Sequence, residues 1–404
     1  MTSLFVTSPP SNRNGRILEL DGLRALAAVT VLVHHLSASW ITQYALGLIG
    51  VRVFFVLSGY LITGILLDQR GDTQALKSPL PGTVLRFYAR RMIRLLPVLY
   101  VAVAIATALR LGDARFTWPW DLTYLSNFYA IKINAHPAVT GLFWTLAVEE
   151  QFYLVWPWVI LLTPRRWLGK LIVAVVVAAP AFRILGWLLR WRWTIIFVSP
   201  ICAFDALGLG ALLMYCERVS PCSLPRLRKF RAVALAIAIP LAALGLWLRP
   251  LTLYSIRRNP TWGWAVVPVQ FYRQVVTDSM LSLLGFGVLS ALRENPAGMA
   301  VSILRWRPLV YLGTISYGIY VYHFPLKAFY DQYLTPRFAP LPAQGSLGYF
   351  FLLSTMAVFI AALSWHAMER PIARLKRYLS KANLPTELQN QEPSLAASTR
   401  SLPA

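Results

Sequence analysis

Apolar runs of about the length that crosses a hydrocarbon layer recur along the whole chain, at about 23–40, 45–67, 95–110, 143–163, 170–189, 195–215, 232–248, 268–292, 308–330 and 346–368. Ten helices are predicted from this pattern. A weaker stretch at 122–134, interrupted by Asn127, Lys132 and Asn134, reads as a lumen-facing or interfacial element before the fourth span. The polar positions between the runs carry the orientation, because retained Lys and Arg mark cytoplasmic loops. With the N-terminus inside, cytoplasmic pieces hold 26 of the basic residues, outer pieces hold 9, and four (Arg52, Arg183, Arg273 and Lys327) fall within spans. An odd number of spans would mix these groups, so an even count with both termini cytoplasmic is expected. The predicted class is an all-α polytopic membrane bundle. Residues 1–16 form a cytoplasmic N-terminal segment, 17–377 the membrane domain, and 378–404 a disordered cytoplasmic tail.

Composition agrees with a bilayer rather than water: 57% of the 404 residues are hydrophobic and 14% charged, where soluble domains carry roughly a quarter charged. The net charge of +23 would suggest nucleic acid in a soluble protein. Here it is mostly topology, and no nucleic-acid partner is expected. Cys202, Cys216 and Cys222 have no metal-binding spacing, so neither a metal site nor a disulfide framework is predicted. The first 16 residues lack the apolar core of a signal peptide. No internal repeat is evident, which weighs against inverted-repeat transporters.

Ionisable groups at membrane depth are costly and mark functional surfaces. On the first span, Arg24 and His35 are 11 residues apart, which is three turns and about 16 Å, with azimuths differing by about 20°. They share one stripe near Asp21, with the Arg at the headgroups and the His towards mid-membrane; His34 points away. On the second span, Ser58-Gly59 permits close helix approach. Arg90, Arg91 and Arg94 cluster before Pro97, with Arg91 and Arg94 on adjacent turns of one side. That spacing suits a phosphate-bearing ligand and equally suits a snorkelling topogenic cluster. The fourth span carries Trp144 and the adjacent carboxylates Glu149 and Glu150, which a structural role alone explains poorly. Ser316, Tyr320, His323 and Lys327 form a polar stripe on the ninth span, and His366 and Glu369 are i, i+3 neighbours suited to capping or interhelix pairing.

Taken together, Arg24 with His35, the Phe54-Phe55-Val56-Leu57-Ser58-Gly59 run, Arg91 with Arg94 before Pro97, the Trp144 to Tyr153 segment, Ser316 to His323, and Glu369-Arg370-Pro371 resemble the acyltransferase-3 family. Its members are integral-membrane O-acyltransferases of bacterial polysaccharides, lipids, antibiotics and signalling glycans. The resemblance covers about 17–377, with Thr145 where many members have Ser. It implies a bacterial inner-membrane, multi-pass enzyme that moves an acyl group, commonly acetyl, from cytoplasmic acyl-CoA to a hydroxyl of a cell-envelope glycan or lipid-linked acceptor. Acyl-CoA is then a co-substrate, with no bound cofactor and no metal. By the same resemblance Arg24, Arg91 and Arg94 would hold the CoA, and His35 would act as general base, with an acyl-His route left open. Glu149 would orient a reacting group, and Ser58, Trp144, Glu150, Ser316, Tyr320 and His323 would line the substrate path. Because the chain stops after the tenth predicted helix, the form without a fused periplasmic domain is expected. An ion-coupled secondary transporter using Asp205, Asp278 and the other buried charges is the rival reading, and a non-catalytic envelope-assembly scaffold is a third.

Overall fold

The structure is a computed structural model that describes residues 17–38, 46–74, 80–220, 224–258, 271–338 and 340–374. The predicted N-terminal segment 1–16, the tail 378–404 and Cys222 lie outside the described residues. Among the described residues every element is helical. In chain order they are α1 (Leu18–Leu36), α2 (Leu46–Gln74), α3 (Leu80–Ala108), α4 (Ala114–Leu122), α5 (Ser126–Ile133), α6 (Phe143–Leu162), α7 (Arg165–Leu188) and α8 (Trp193–Val198). There follow α9 (Phe204–Arg218), α10 (Leu224–Arg258), α11 (Thr277–Glu294), α12 (Met299–Leu304), α13 (Arg307–Thr314), α14 (Ser316–Phe329), α15 (Leu347–Ser364) and α16 (Arg370–Ala373). Five stretches, Leu46–Gly71, Leu80–Ala108, Arg165–Leu188, Pro200–Arg218 and Leu347–Ala373, are long and apolar enough to cross a membrane.

Within the described residues each predicted run overlaps helix, but four differ in a way that matters to the site. The third helix starts at Leu80 rather than near 95, so Arg90, Arg91 and Arg94 lie within α3 instead of ahead of it. The sixth run is broken before α9: Ser199 is held extended (φ −64°, ψ 143°) ahead of Pro200, as the residue preceding a proline usually is. The ninth run is broken at Ile315 (φ −96°, ψ 5°), which makes Ser316 the first residue of α14. On α1, which ends at Leu36, His35 sits in the last turn rather than mid-span.

The core is organised around α2, which packs on α1, α6, α9 and α11. Its closest neighbour is α9, and the reason is reciprocal. A Cβ at Gly59 would overlap the Leu207 carbonyl, and a Cβ at Gly210 would overlap the Val56 carbonyl, so each backbone uses the other's missing side chain. By contrast α3, α7 and α15 turn most of their apolar side chains outward, as helices facing lipid do.

Four buried charges join α2, α7, α9 and α11. Arg52 Nη2 meets Asp278 Oδ2 at 2.5 Å and Arg52 Nη1 meets Asp205 Oδ1 at 3.3 Å, while Arg183 pairs with Asp205. Both guanidiniums also donate to the Cys202 carbonyl, at 3.0 and 2.6 Å. Two cations and two anions balance, so the cluster satisfies the rule that buried charge is paired.

Before α6, α4 and α5 form a hairpin that folds back into the bundle. The Tyr100 hydroxyl on α3 donates to the Leu122 carbonyl (3.3 Å), and Asn127 exchanges hydrogen bonds with Gln151 (3.1 and 3.0 Å). Both Tyr100 and Gln151 are eight residues from the nearby end of their helix, about 12 Å. The hairpin tip at Thr123–Leu125 therefore lies part-way down the bundle. Tyr124 takes a left-handed conformation there (φ 55°), with its carbonyl held by Gln151 Nε2 at 2.8 Å. Within the hairpin, Asp121 of α4 is 1% exposed next to the Thr117 and Thr140 hydroxyls, and burial pushes its carboxyl up to about 7.

Candidate active site

A cavity with an empty volume of about 640 Å³ opens among α1, α2, α3, α6 and α14. Its polar wall is Arg24, Ser58, Arg91, Arg94, Glu149 and Ser316, with Phe54, Tyr317 and Tyr320 as aromatic wall. The break at Ile315 brings the N-terminal end of the 14-residue α14 to the cavity, where its unpaired N–H groups and dipole add positive potential. Three guanidiniums and a helix N-terminus converge on one void, an arrangement suited to an anionic ligand.

The carboxylates are held as firmly as the guanidiniums. Glu149 Oε1 accepts hydrogen bonds from the Ser58 hydroxyl of α2 and from the Tyr153 hydroxyl one turn along α6. Arg91 stands between the two acids, 4.0 Å from Glu149 and 3.8 Å from Glu150, with its guanidinium 3.7 Å above the centre of the Tyr153 ring. Tyr153 thus supports both charges, beneath the cation and behind the anion. Arg24 pairs with Asp21 at 3.7 Å. Glu369, buried beside the Ser364 hydroxyl (3.1 Å), faces Arg94. The pairing reading of Glu369 is therefore the one its surroundings support.

Further along the same two helices is a second polar level. His35 on α1 and His323 on α14 approach with Nδ1 of the first 3.4 Å from Nε2 of the second. Proton bookkeeping follows from the neighbours. His323 Nδ1 lies 2.8 Å from the Tyr320 carbonyl and 3.1 Å from the Ile319 carbonyl; carbonyls only accept, so that nitrogen carries the proton. His323 Nε2 is then an acceptor, and His35 Nδ1 is assigned as its donor. His35 also bonds the Val31 carbonyl.

Of the sequence-predicted site residues, Arg24, Arg91, Arg94, Ser58, Glu149, Ser316 and Tyr320 line the cavity. His35, His323, Trp144 and Glu150 do not. Glu150 stands behind Arg91. The two histidines lie one aromatic layer beyond the cavity wall: the Tyr320 ring is 6.3 Å from Phe54 on one side and 5.8 Å from His323 on the other. The Tyr320 hydroxyl is fixed by Thr145 (2.6 Å) and the Leu142 carbonyl (3.2 Å). Trp144 turns towards a separate aromatic cluster, with Phe197 at 5.0 Å and His136 at 6.4 Å, and His136 in turn meets Trp193 at 5.2 Å.

Sequence reasoning missed Tyr153 and Tyr317 as site residues. The signal for Tyr153 is its i+4 spacing from Glu149 on α6, which puts both on one face. Tyr317 donates to the Leu95 carbonyl of α3 (3.0 Å), a contact between distant segments that no local pattern encodes.

Compared with known proteins, the family model described as an acyltransferase domain matches residues 17–366. A peptidoglycan O-acetyltransferase OatA of Listeria monocytogenes is 31% identical over 388 residues, covering 88% of this chain and 55% of that protein. An O-acetyltransferase OatA of Staphylococcus aureus is 25% identical over 91% of this chain and 58% of its own length. A putative peptidoglycan O-acetyltransferase YrhL of Bacillus subtilis is 28% identical over 87% of the chain and 54% of its length. The chain thus spans a little over half the length of these curated relatives. No solved structure matches it.

Proposed function

From the premise that this chain belongs to the acyltransferase-3 family, we propose that it transfers an acetyl group from cytoplasmic acyl-CoA to a hydroxyl of a cell-envelope glycan, in a bundle of ten spans with both termini cytoplasmic in a bacterial inner membrane. The observation that carries this reading is the juxtaposition of two levels on α1 and α14. A cavity ringed by Arg24, Arg91 and Arg94 has Tyr320 in its wall, and the ring of Tyr320 lies 5.8 Å from that of His323, the partner of His35. The names of the relatives support an acetyl group and a glycan acceptor.

In this mechanism the guanidiniums hold the anionic donor on the face where α1 begins, and its thioester points along α1 towards His35. Tyr320 is the wall that must yield for thioester and imidazole to meet. The unprotonated ring nitrogen of neutral His35 takes the proton of the acceptor hydroxyl as its oxygen attacks the thioester carbonyl. The C–S bond breaks, and the thiolate leaves and takes up the proton. His323 holds the imidazole in this orientation through Nδ1, and its own tautomer is fixed by two carbonyls. Glu149, anchored by Ser58 and Tyr153, positions Arg91. Trp144 and the rings around it line the acceptor side.

The experiment is transfer of labelled acetyl from acetyl-CoA to a soluble peptidoglycan fragment by the purified chain in lipid vesicles. His35→Ala should lower turnover by about 10²- to 10⁴-fold, the usual contribution of a positioned general base. Full activity in that variant would end the proposed role of His35, and absence of any acetyl-CoA turnover in the wild type would end the acyl-transfer reading.

A further inference from the structure

A second basic cavity, sharing no lining residue with the first, opens where α2 and α9 end and α7 begins. It has an empty volume of about 510 Å³, and its wall includes Leu67, Asp68, Arg70, Arg165, Leu168 and Arg218. Among the described residues three guanidiniums and one carboxylate line it. The pair that carboxylate makes with Arg218 is 3.6 Å long with both partners more than half exposed, too weak and too wet to neutralise the site.

Arg70 is the built feature. It is only 6% exposed; Nη1 donates to the Ile160 carbonyl at 2.7 Å, and buried Nε has no hydrogen-bond partner. Arg165 is close enough for the two like charges to repel. Burying one guanidinium against another, with an N–H left over, costs free energy that an incoming anion would recover. The first turn of the 24-residue α7 starts at Arg165 and adds its positive end to the same void. Leu67 and Leu168 give the cavity an apolar flank, so the ligand best matched to it has an anionic head and an apolar continuation.

We propose that this cavity binds a phosphate group, carried either by an anionic phospholipid headgroup or by a nucleotide. It lies on the face where α1 begins, where basic pockets between membrane helices meet lipid headgroups. The site stands whether or not the acyl-transfer reading does.

The test is ligand retention by the full chain in detergent, followed by native mass spectrometry with three probes: dioleoyl phosphatidylglycerol, dioleoylglycerol as the phosphate-free control, and adenosine 3′,5′-bisphosphate. The wild type should retain phosphatidylglycerol and not dioleoylglycerol. The double variant Arg165→Gln with Arg218→Gln, which leaves buried Arg70 intact, should weaken that retention roughly tenfold or more. Asp68→Asn should strengthen it, and this arm remains informative if the double variant fails to fold. Binding of the bisphosphate with the same variant dependence, in place of the lipid, assigns the phosphate to a nucleotide. Equal retention by wild type and both variants, or retention of none of the phosphate probes by the wild type, overturns the proposal.

Discussion

Replacing Glu149 by Gln tests whether the internal carboxylates compete with the donor for Arg91. Arg91 is 4.0 Å from Glu149 and 3.8 Å from Glu150, and an anionic donor entering the cavity must share the guanidinium with both. At an effective dielectric of about 20, two unit charges 4 Å apart interact by about 4 kcal/mol. The Arg91 and Glu149 side chains retain 16% and 20% exposure, and screening reduces this to ~1–2 kcal/mol. Removing the charge while keeping the shape should therefore tighten CoA binding by roughly five- to thirtyfold at low salt, with the gain shrinking as salt is added. Turnover should move the other way. The amide offers Ser58 and Tyr153 a weaker acceptor, so Arg91 loses its fixed orientation even as it gains affinity. Calorimetric titration of CoA into the purified protein at two ionic strengths, alongside acetyl transfer, separates the two effects. Weaker CoA binding by Glu149→Gln, in protein with an unchanged melting temperature, would refute the competition.

Two further outcomes concern the scaffold. Arg52→Met leaves Asp278 without its 2.5 Å partner and should lower stability by about 3–5 kcal/mol; adding Asp278→Leu leaves the balanced Arg183–Asp205 pair and should restore part of the loss, whereas strictly additive losses in unfolding measurements would contradict the pairing. Asp121, whose carboxyl is pushed from 3.8 up to about 7 by burial, binds its proton more tightly folded than unfolded. Stability should therefore fall as pH rises from about 4 to about 7, by at most about 4 kcal/mol, and level off above. Asp121→Asn should flatten that part of the melting-temperature profile, and an unchanged profile would rule out Asp121 as its source.

Much of the candidate site is legible from spacing, because both of its helices present their polar residues at helical intervals. Arg24 and His35 are three turns apart, and Ser316, Tyr320 and His323 follow the same logic on α14. The facing of these two stripes is what the structure adds. Ser58 reads as a packing residue beside Gly59, and Gly59 does pack, against α9; the hydroxyl turns instead to Glu149, a partner 91 residues away. The break at Ile315 has no proline to announce it, unlike the one before Pro200. Of the α4–α5 hairpin hydropathy shows only the weak stretch at 122–134, because neither arm is long enough to cross; its depth is set by Tyr100 and Gln151, residues of other helices.

The Arg52 quartet also bears on how the chain is made. Its four members leave the ribosome in the order Arg52, Arg183, Asp205, Asp278, so the first guanidinium emerges long before either carboxylate exists. A lone Arg costs about 2.5–3.5 kcal/mol against lipid at the centre of an inserted helix and less at Arg52, the seventh residue of α2, which the apolar remainder of α2 can outweigh without removing the unpaired charge. Early helices are best served by lingering at the insertion machinery, or with Arg52 reaching the interface, until α9 and α11 arrive. The last of these to be synthesised, α11, then locks the others, which makes biogenesis of this bundle a late, concerted closure rather than a helix-by-helix release.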